Sequence, residues 1–334
     1  MPGAQRQSIG WRADKRRLTI AAIVAALLAP LALSVNSIRA QAVATAARAG
    51  VRLARYTEFE HPEMVQILGY NDNQGNSNDA MEPFISRDGN YLFFNGLNTA
   101  PTTSLYWATR VDDVTFQFRG ALAGEVNSPG PLNAVPSMDS DGNFYFITTR
   151  SYGNLGTPGY LATLYSGPFS SGAVTPVSPV PGMAAAQPGL VVFDDEVSAD
   201  GNTLYFTVGD YSTGNLTATT MMVATRRSGG FVIDPNSKRI MHAINNRFLN
   251  YAADTSADEL EFYFTRTNLK IGPQIWMATR KSLSKPFGRP RQIKAITGFA
   301  EAPSISPDGL SLYYHVKNST AVFEINRVTR TLKR

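Results

Sequence analysis

The stretch Asp194-Asp195-Glu196-Val197-Ser198-Ala199-Asp200-Gly201-Asn202-Thr203-Leu204-Tyr205-Phe206 decides the fold. An Asp-Gly pair between two runs of strand-forming residues predicts a tight hairpin, because short hairpin turns need backbone with positive φ that Asp, Asn and Gly tolerate. The same pattern appears four more times, over Glu82–Phe94, Val135–Phe146, Ala253–Phe264 and Glu301–Tyr314. The turn aspartates Asp88, Asp141, Asp200, Asp258 and Asp308 lie 53, 59, 58 and 50 residues apart. A period of this size fits one four-stranded propeller blade with generous loops. Asp258 is followed by Glu259 instead of Gly, so the fourth repeat is expected to have a different or looser turn.

A third strand follows each hairpin. Leu105–Arg110, Met221–Arg226 and Ile275–Arg280 all end in Ala-Thr-Arg, while Ala162–Ser166 and Ala321–Asn326 diverge. A more polar fourth strand follows in the first four repeats, for example Pro290–Ile296. The second strands are almost wholly apolar, as expected of strands covered on both faces. The last repeat has no room for a fourth strand. Met64–Leu68, which precedes the first repeat and resembles the other fourth strands, is predicted to complete it and close the ring. The reading is therefore all-β, a five-bladed β-propeller with four-stranded blades. The alternative of six blades needs a further repeat, and none is found.

Residues 1–42 read as a signal peptide, with a basic start (Arg12, Lys15, Arg16, Arg17), an apolar run from Leu18 to Val35 and a small-x-small site at Ala40-Gln41-Ala42. The other reading of this segment is an uncleaved anchor, and Arg16-Arg17 leaves twin-arginine export open beside the general route. No later segment is apolar enough to span a membrane. Residues 43–60 read as a linker or short peripheral helix, and residues 61–334 as a single propeller domain. The protein is expected to be periplasmic or secreted, and monomeric. Its 334 residues contain no cysteine, which excludes disulfides, thiolate metal sites and cysteine nucleophiles. The net charge of +5 comes largely from the leader and the C-terminus, and no basic stripe runs through the repeats, so nucleic acid is not an expected partner.

The Ser-x-Asp-Gly-x-x-Leu-Tyr-Phe element, with Glu-Pro or Pro-Ser upstream of it, resembles the TolB-like (WD40-like) repeat of exported bacterial propellers. The resemblance covers residues 64–326. It implies the fold and says little about function, because such repeats serve as scaffolds, as parts of peptidases and in proteins of unassigned role. Five-bladed propellers as a shape also include glycan-cleaving enzymes.

In a propeller the first strand of each blade lines the central channel. Acidic residues recur there as Glu82, the cluster Asp194, Asp195 and Glu196, then Asp254 and Glu301. Carboxylates converging at a channel mouth offer three chemistries. They can serve as acid, base or nucleophile on a glycosidic bond, as oxygen ligands for Ca²⁺, or as acceptors for backbone amides of neighbouring blades. The last is favoured because the acidic position belongs to the repeat. Asp194, Asp195 and Glu196 exceed what the repeat needs and, with Tyr152 and Tyr160 from a Gly-rich loop, form the candidate ligand site. If the protein is an enzyme, its catalytic candidates are Glu82, Asp195, Glu196, Asp254 and Glu301. The strand-end arginines Arg110, Arg226 and Arg280 read as partners of carboxylates on neighbouring blades, and His61, His242 and His315 as isolated structural residues. The apolar stretch Val177–Phe193 is expected to cover the channel or to form a partner surface. The function expected is binding or scaffolding, with a ligand or partner site at the channel mouth and a glycan or a protein as the partner. The alternative is a glycan-active enzyme, a glycoside hydrolase or lyase.

Overall fold

The structure, a computed structural model, describes residues 56–70, 79–98, 103–129, 131–151, 162–267, 270 and 272–333. The leader, most of the linker, Tyr152 and Tyr160 lie outside the described residues. Five small antiparallel sheets follow one another along the chain as the five blades of a propeller. The first, channel-lining strands are Met81–Ile85, Asn133–Met138, Leu190–Val197, Leu249–Thr255 and Ala300–Ile305. The second strands are Tyr91–Asn95, Asn143–Thr148, Thr203–Asp210, Glu261–Thr267 and Ser311–Lys317. The third are Leu105–Arg110, Leu164–Ser170, Ala218–Arg227, Gln274–Thr279 and Phe323–Thr329.

The ring is closed by an N-terminal strand, as expected, but four residues earlier than expected. Glu60–Met64 pairs antiparallel with Phe323–Thr329 and becomes the outer strand of blade five. Gln66–Leu68 instead lies parallel to Thr115–Ala121 and adds a fifth strand to blade one. The N-terminal segment thus staples the first blade to the last and covers the edges that Thr115–Ala121 and Phe323–Thr329 would otherwise present. The apolar stretch before Phe193 is not a lid. Ser178–Pro179 pairs with the third strand of blade two, and Val180, Met183 and Ala185 are buried between blades two and three.

The core is divided into five wedges, one at each interface between blades. Each apolar cluster draws on two adjacent sheets: Leu92 and Phe94 meet Tyr313 and Ile325 between blades one and five, whereas Phe93 meets Phe144 and Phe146 between blades one and two. Successive residues of a second strand point to opposite faces. Both faces are covered, so the whole run must be apolar. The strand-end arginines pin the same interfaces. Arg226 of blade three donates to the Tyr145 hydroxyl of blade two and to the carbonyl of Gly201, and Arg280 of blade four donates to the Tyr205 hydroxyl of blade three (2.7 Å). The carboxylates expected on neighbouring blades are therefore replaced by tyrosine hydroxyls at these two positions. Arg280 and Arg110 do lie beside carboxylates, but those of Glu259 (3.9 Å) and Asp113 in their own blades.

The repeat turn is longer than a two-residue hairpin. Ser86 N–H bonds to the Tyr91 carbonyl and Gly89 N–H to the Ser86 carbonyl, leaving a four-residue loop in which only the glycine has positive φ (74°). Asp88 Oδ1 accepts from the Asn90 amide (3.0 Å) and ties the loop together. Blade four keeps this turn, contrary to expectation. Glu259 occupies the glycine place with φ 56°, and its amide bonds to the Ser256 carbonyl (2.7 Å). A carboxylate accepts there from the Tyr205 hydroxyl (2.9 Å), which offsets the cost of left-handed backbone for a non-glycine residue.

Arg330 joins the closing segment to the ring. Its guanidinium donates to both oxygens of Glu261 in blade four and stacks 3.7 Å from the centroid of the Tyr56 ring, with the side chain 2% exposed. Removing one partner of a buried pair strands the other, so Arg330→Met should cost about 3 kcal/mol in urea denaturation. The double substitution Arg330→Met, Glu261→Gln should regain a large part of that loss. A single substitution without measurable cost would mean that the chain end does not fasten the ring.

Candidate functional site

The same irregularity occurs in every channel-lining strand. Pairing with the second strand breaks between Met81 and Phe84, Ala134 and Ser137, Phe193 and Glu196, Tyr251 and Asp254, and Glu301 and Ser304. Each gap spans one more residue than the facing strand, which makes it a β-bulge. The residue just after the break, Glu82, Val135, Asp194, Ala252 or Ala302, has φ between 50° and 56°. This fivefold bulge sets which way each channel side chain points. Its amide turns toward the preceding blade and finds a side-chain acceptor there in four of the five blades. Glu82 N–H donates to His315 Nδ1 (3.0 Å), Val135 N–H to Asn95 Oδ1 (3.1 Å), Ala252 N–H to Asp194 Oδ2 (3.0 Å) and Ala302 N–H to Thr265 Oγ1 (3.0 Å).

The bulge sorts the acidic residues into three environments. Glu82, Asp194 and Glu301 lie at or beside it, on blades one, three and five, and line one cavity of about 590 Å³ at the channel mouth. Val191, Phe193, Tyr211, Leu216 and Tyr251 form its apolar wall. Phe193 sits between the other two rings, with centroids 6.2 Å from Tyr211 and 6.4 Å from Tyr251.

Glu196 and Asp254 each lie two residues beyond the positive-φ residue of their strands, in a layer beneath the cavity. Arg87, from the turn of blade one, joins this layer. It donates to Glu196 Oε1 (2.6 Å), to the Met138 carbonyl (3.1 Å) and to the Val197 carbonyl. Ser137 and Thr255 also donate to Glu196 (2.9 and 3.2 Å), and Asp254 Oδ2 accepts from the Ile305 amide (3.0 Å). Ser304 and Ser137, at the same strand position, accept the amides of Ile85 and Val197. The acidic-or-serine position of the repeat is thus an inter-blade acceptor. None of Arg87, Glu196, Asp254, Ser137 and Ser304 lines the mouth cavity.

Asp195 belongs to neither layer. It is 3% exposed, and neither of its carboxylate oxygens has a hydrogen-bond partner among the described residues. Burial, and then the Glu196 charge, push its carboxyl well above the usual carboxylate range.

At the mouth, Glu301 accepts from the Tyr251 hydroxyl and from His315 Nε2 (3.1 Å). Because His315 Nδ1 accepts the Glu82 amide, the ring proton sits on Nε2 and the imidazole is neutral in this arrangement. Asn98 Nδ2–H donates to Glu82 Oε1 (2.8 Å), while Glu82 Oε2 is buried without a partner. Burial raises the Asp194 carboxyl well above its ordinary value, and Glu82 and Glu301 add to the effect. Burial likewise raises Glu82. Among the described residues no three His, Asp or Glu side chains are arranged to hold a metal ion.

Sequence reading placed six carboxylates at one mouth. The structure brings three of them together and sends Glu196, Asp254 and Asp195 elsewhere. It adds His315, Asn98 and Arg87, which sequence reading had set aside or missed. A signal for Arg87 existed: the equivalent turn residues Ser140, Ala199, Ala257 and Pro307 are all uncharged. His315 faces Glu301 directly across the strand pair, a relation visible only once the bulge fixes the register.

These features define a five-bladed propeller with an acidic cavity at one mouth. No family model matches the chain, and no curated protein does. Solved structures match in shape. A family 117 glycoside hydrolase from the marine bacterium Zobellia galactanivorans aligns with a TM-score of 0.52 at 11% identity, over 83% of this chain and 92% of that one. The catalytic domain of a GH62 α-L-arabinofuranosidase from Coprinopsis cinerea gives 0.49 at 13%, over 83% and 97%. TolB from Acinetobacter baumannii gives 0.41 at 13%, over 83% and 64%. At these identities the likeness extends to the β-propeller fold and no further.

Asp195 makes a pH test possible. A carboxyl whose folded-state value is raised keeps its proton longer folded than unfolded. Stability is then highest at and below the ordinary carboxylate range and falls as pH rises toward the folded value. Glu82, Asp194 and Asp254 act in the same direction. The native protein should lose stability between about pH 5 and about pH 8. Asp195→Asn should lose less over that interval, as read by denaturant midpoints at the two pH values. An unchanged slope would show that Asp195 ionises freely.

Proposed function

We propose that this is an exported propeller that binds a small carbohydrate in the mouth cavity. The observation that carries the reading is the shape and lining of that cavity. A pocket of about 590 Å³ is of the size that encloses a small ligand. Its aromatic lining suits the apolar face of a sugar ring, while its carboxylates and an amide serve as hydroxyl acceptors and donors. A protein partner would be met more readily by an extended exposed surface than by a pocket of this kind.

A second reading, hydrolysis of a glycosidic bond, is favoured by one specific feature. Asp194 and Glu82 are pushed toward the protonated form, while both oxygens of Glu301 are occupied as acceptors. A proton-donating carboxyl and an accepting carboxylate in one cavity are what that reaction needs.

A panel of oligosaccharides, scored for binding and for cleavage, tests both. Binding without turnover, weakened about tenfold or more by Phe193→Ala, supports the binding reading. Cleavage lost in Asp194→Asn or Glu301→Gln supports the enzyme. Neither binding nor cleavage across the panel sinks the carbohydrate reading and leaves a protein partner to be sought by pull-down.

A further inference from the structure

The channel holds two layers of acid, and among the described residues only the lower one has a cation beside it. There Glu196 is paired with the Arg87 guanidinium, which also acts on Asp254, although one buried oxygen of Asp254 has no partner. In the upper layer three carboxylates share the mouth cavity, and none of the described lining residues is Lys or Arg. His315 supplies no charge there, because its Nδ1 is occupied as the acceptor of the Glu82 amide. Asp194 is 4% exposed, and Glu82 Oε2 is buried at the cavity without a partner. Such groups are costly to hold as anions unless a cation or a proton joins them. Phe193, Tyr211 and Tyr251 line the same cavity, and aromatic rings attract organic cations. The absence of a metal-like ligand set among the described residues argues for an organic cation over a metal ion.

We propose that the ligand of the mouth cavity carries a protonated amine, which sits among Glu82, Asp194 and Glu301 while the body of the ligand lies against Phe193, Tyr211 and Tyr251. Resting on the carbohydrate reading above, the class that satisfies both the acids and the rings is an amino sugar with its amine free. Without such a ligand, protons hold the place of the cation, which agrees with the raised carboxyls of Asp194 and Glu82. Binding therefore exchanges protons for an ammonium group. The groups that face this exchange are Glu82, Asp194, Glu301, His315 and Tyr251.

The test is calorimetric titration of the protein with three disaccharide probes of one size: a glucosamine dimer, its N-acetylated form and a glucose dimer. The free-amine dimer should bind at least about tenfold more tightly than either neutral probe. It should release protons, seen as a binding heat that depends on the ionisation enthalpy of the buffer. Asp194→Asn and Glu82→Gln should erase the preference. Asn98→Lys, at an exposed position on the rim, should do the same by supplying a resident cation, and it leaves the buried acids in place to guard against misfolding as the explanation. Neutral probes binding as tightly as the amine would overturn the cation while leaving the carbohydrate reading intact. Tyramine binding in an Asp194-dependent way, with no disaccharide bound, would support the cation and remove the carbohydrate. No binding by either amine overturns the proposal.

Discussion

The guanidinium of Arg87 ties three blades together beneath the mouth cavity, and the sorting of the channel acids depends on it. From a turn of blade one it reaches the Met138 carbonyl in blade two and Glu196 and the Val197 carbonyl in blade three. Its side chain is 9% exposed and that of Glu196 is 1% exposed. In that setting an ion pair is held by its many hydrogen bonds more than by Coulomb attraction alone. The pair supplies the lower layer with a cation, whereas among the described residues no Lys or Arg lines the cavity of the upper acids.

The second constraint is the bulge in all five inner strands. A regular strand would alternate its side chains without interruption. One extra residue per strand shifts the facing of everything beyond it. Residues at the break therefore open to the cavity, whereas those two places further on meet the neighbouring blade. Left-handed backbone at Glu82, Val135, Asp194, Ala252 and Ala302 costs energy for residues with a Cβ. Side-chain acceptors on the preceding blade receive four of the five turned amides and offset that cost. Asp194 serves both purposes, because one of its oxygens holds Ala252 while the carboxyl faces the cavity.

Closure explains how a chain without cysteine holds a ring of thin sheets. No blade has a core of its own, and every apolar cluster is shared by two neighbours. A missing interface would expose two such faces at once. The N-terminal segment prevents this by pairing with blade five through Glu60–Met64 and with blade one through Gln66–Leu68. Arg330 ties this segment to blade four as well, through Tyr56 and Phe59 on one side and Glu261 on the other.

By itself the sequence determined the architecture. The spacing of Asp88, Asp141, Asp200, Asp258 and Asp308 sets the number of blades, and the apolar second strands show that both of their faces are covered. Those signals are local and periodic, so they survive without coordinates. The tertiary structure alone decided which acids share a site. Glu82, Asp194 and Glu301 are separated by more than a blade in sequence, with Glu82 and Asp194 at the bulge position and Glu301 one residue before it. Sequence alignment grouped them with Glu196 and Asp254. A one-residue bulge, invisible in a single sequence, changes the direction of a side chain without changing its neighbours in the chain. The neutral form of His315 and the charge balance of each channel layer follow from contacts between blades, which no local pattern encodes.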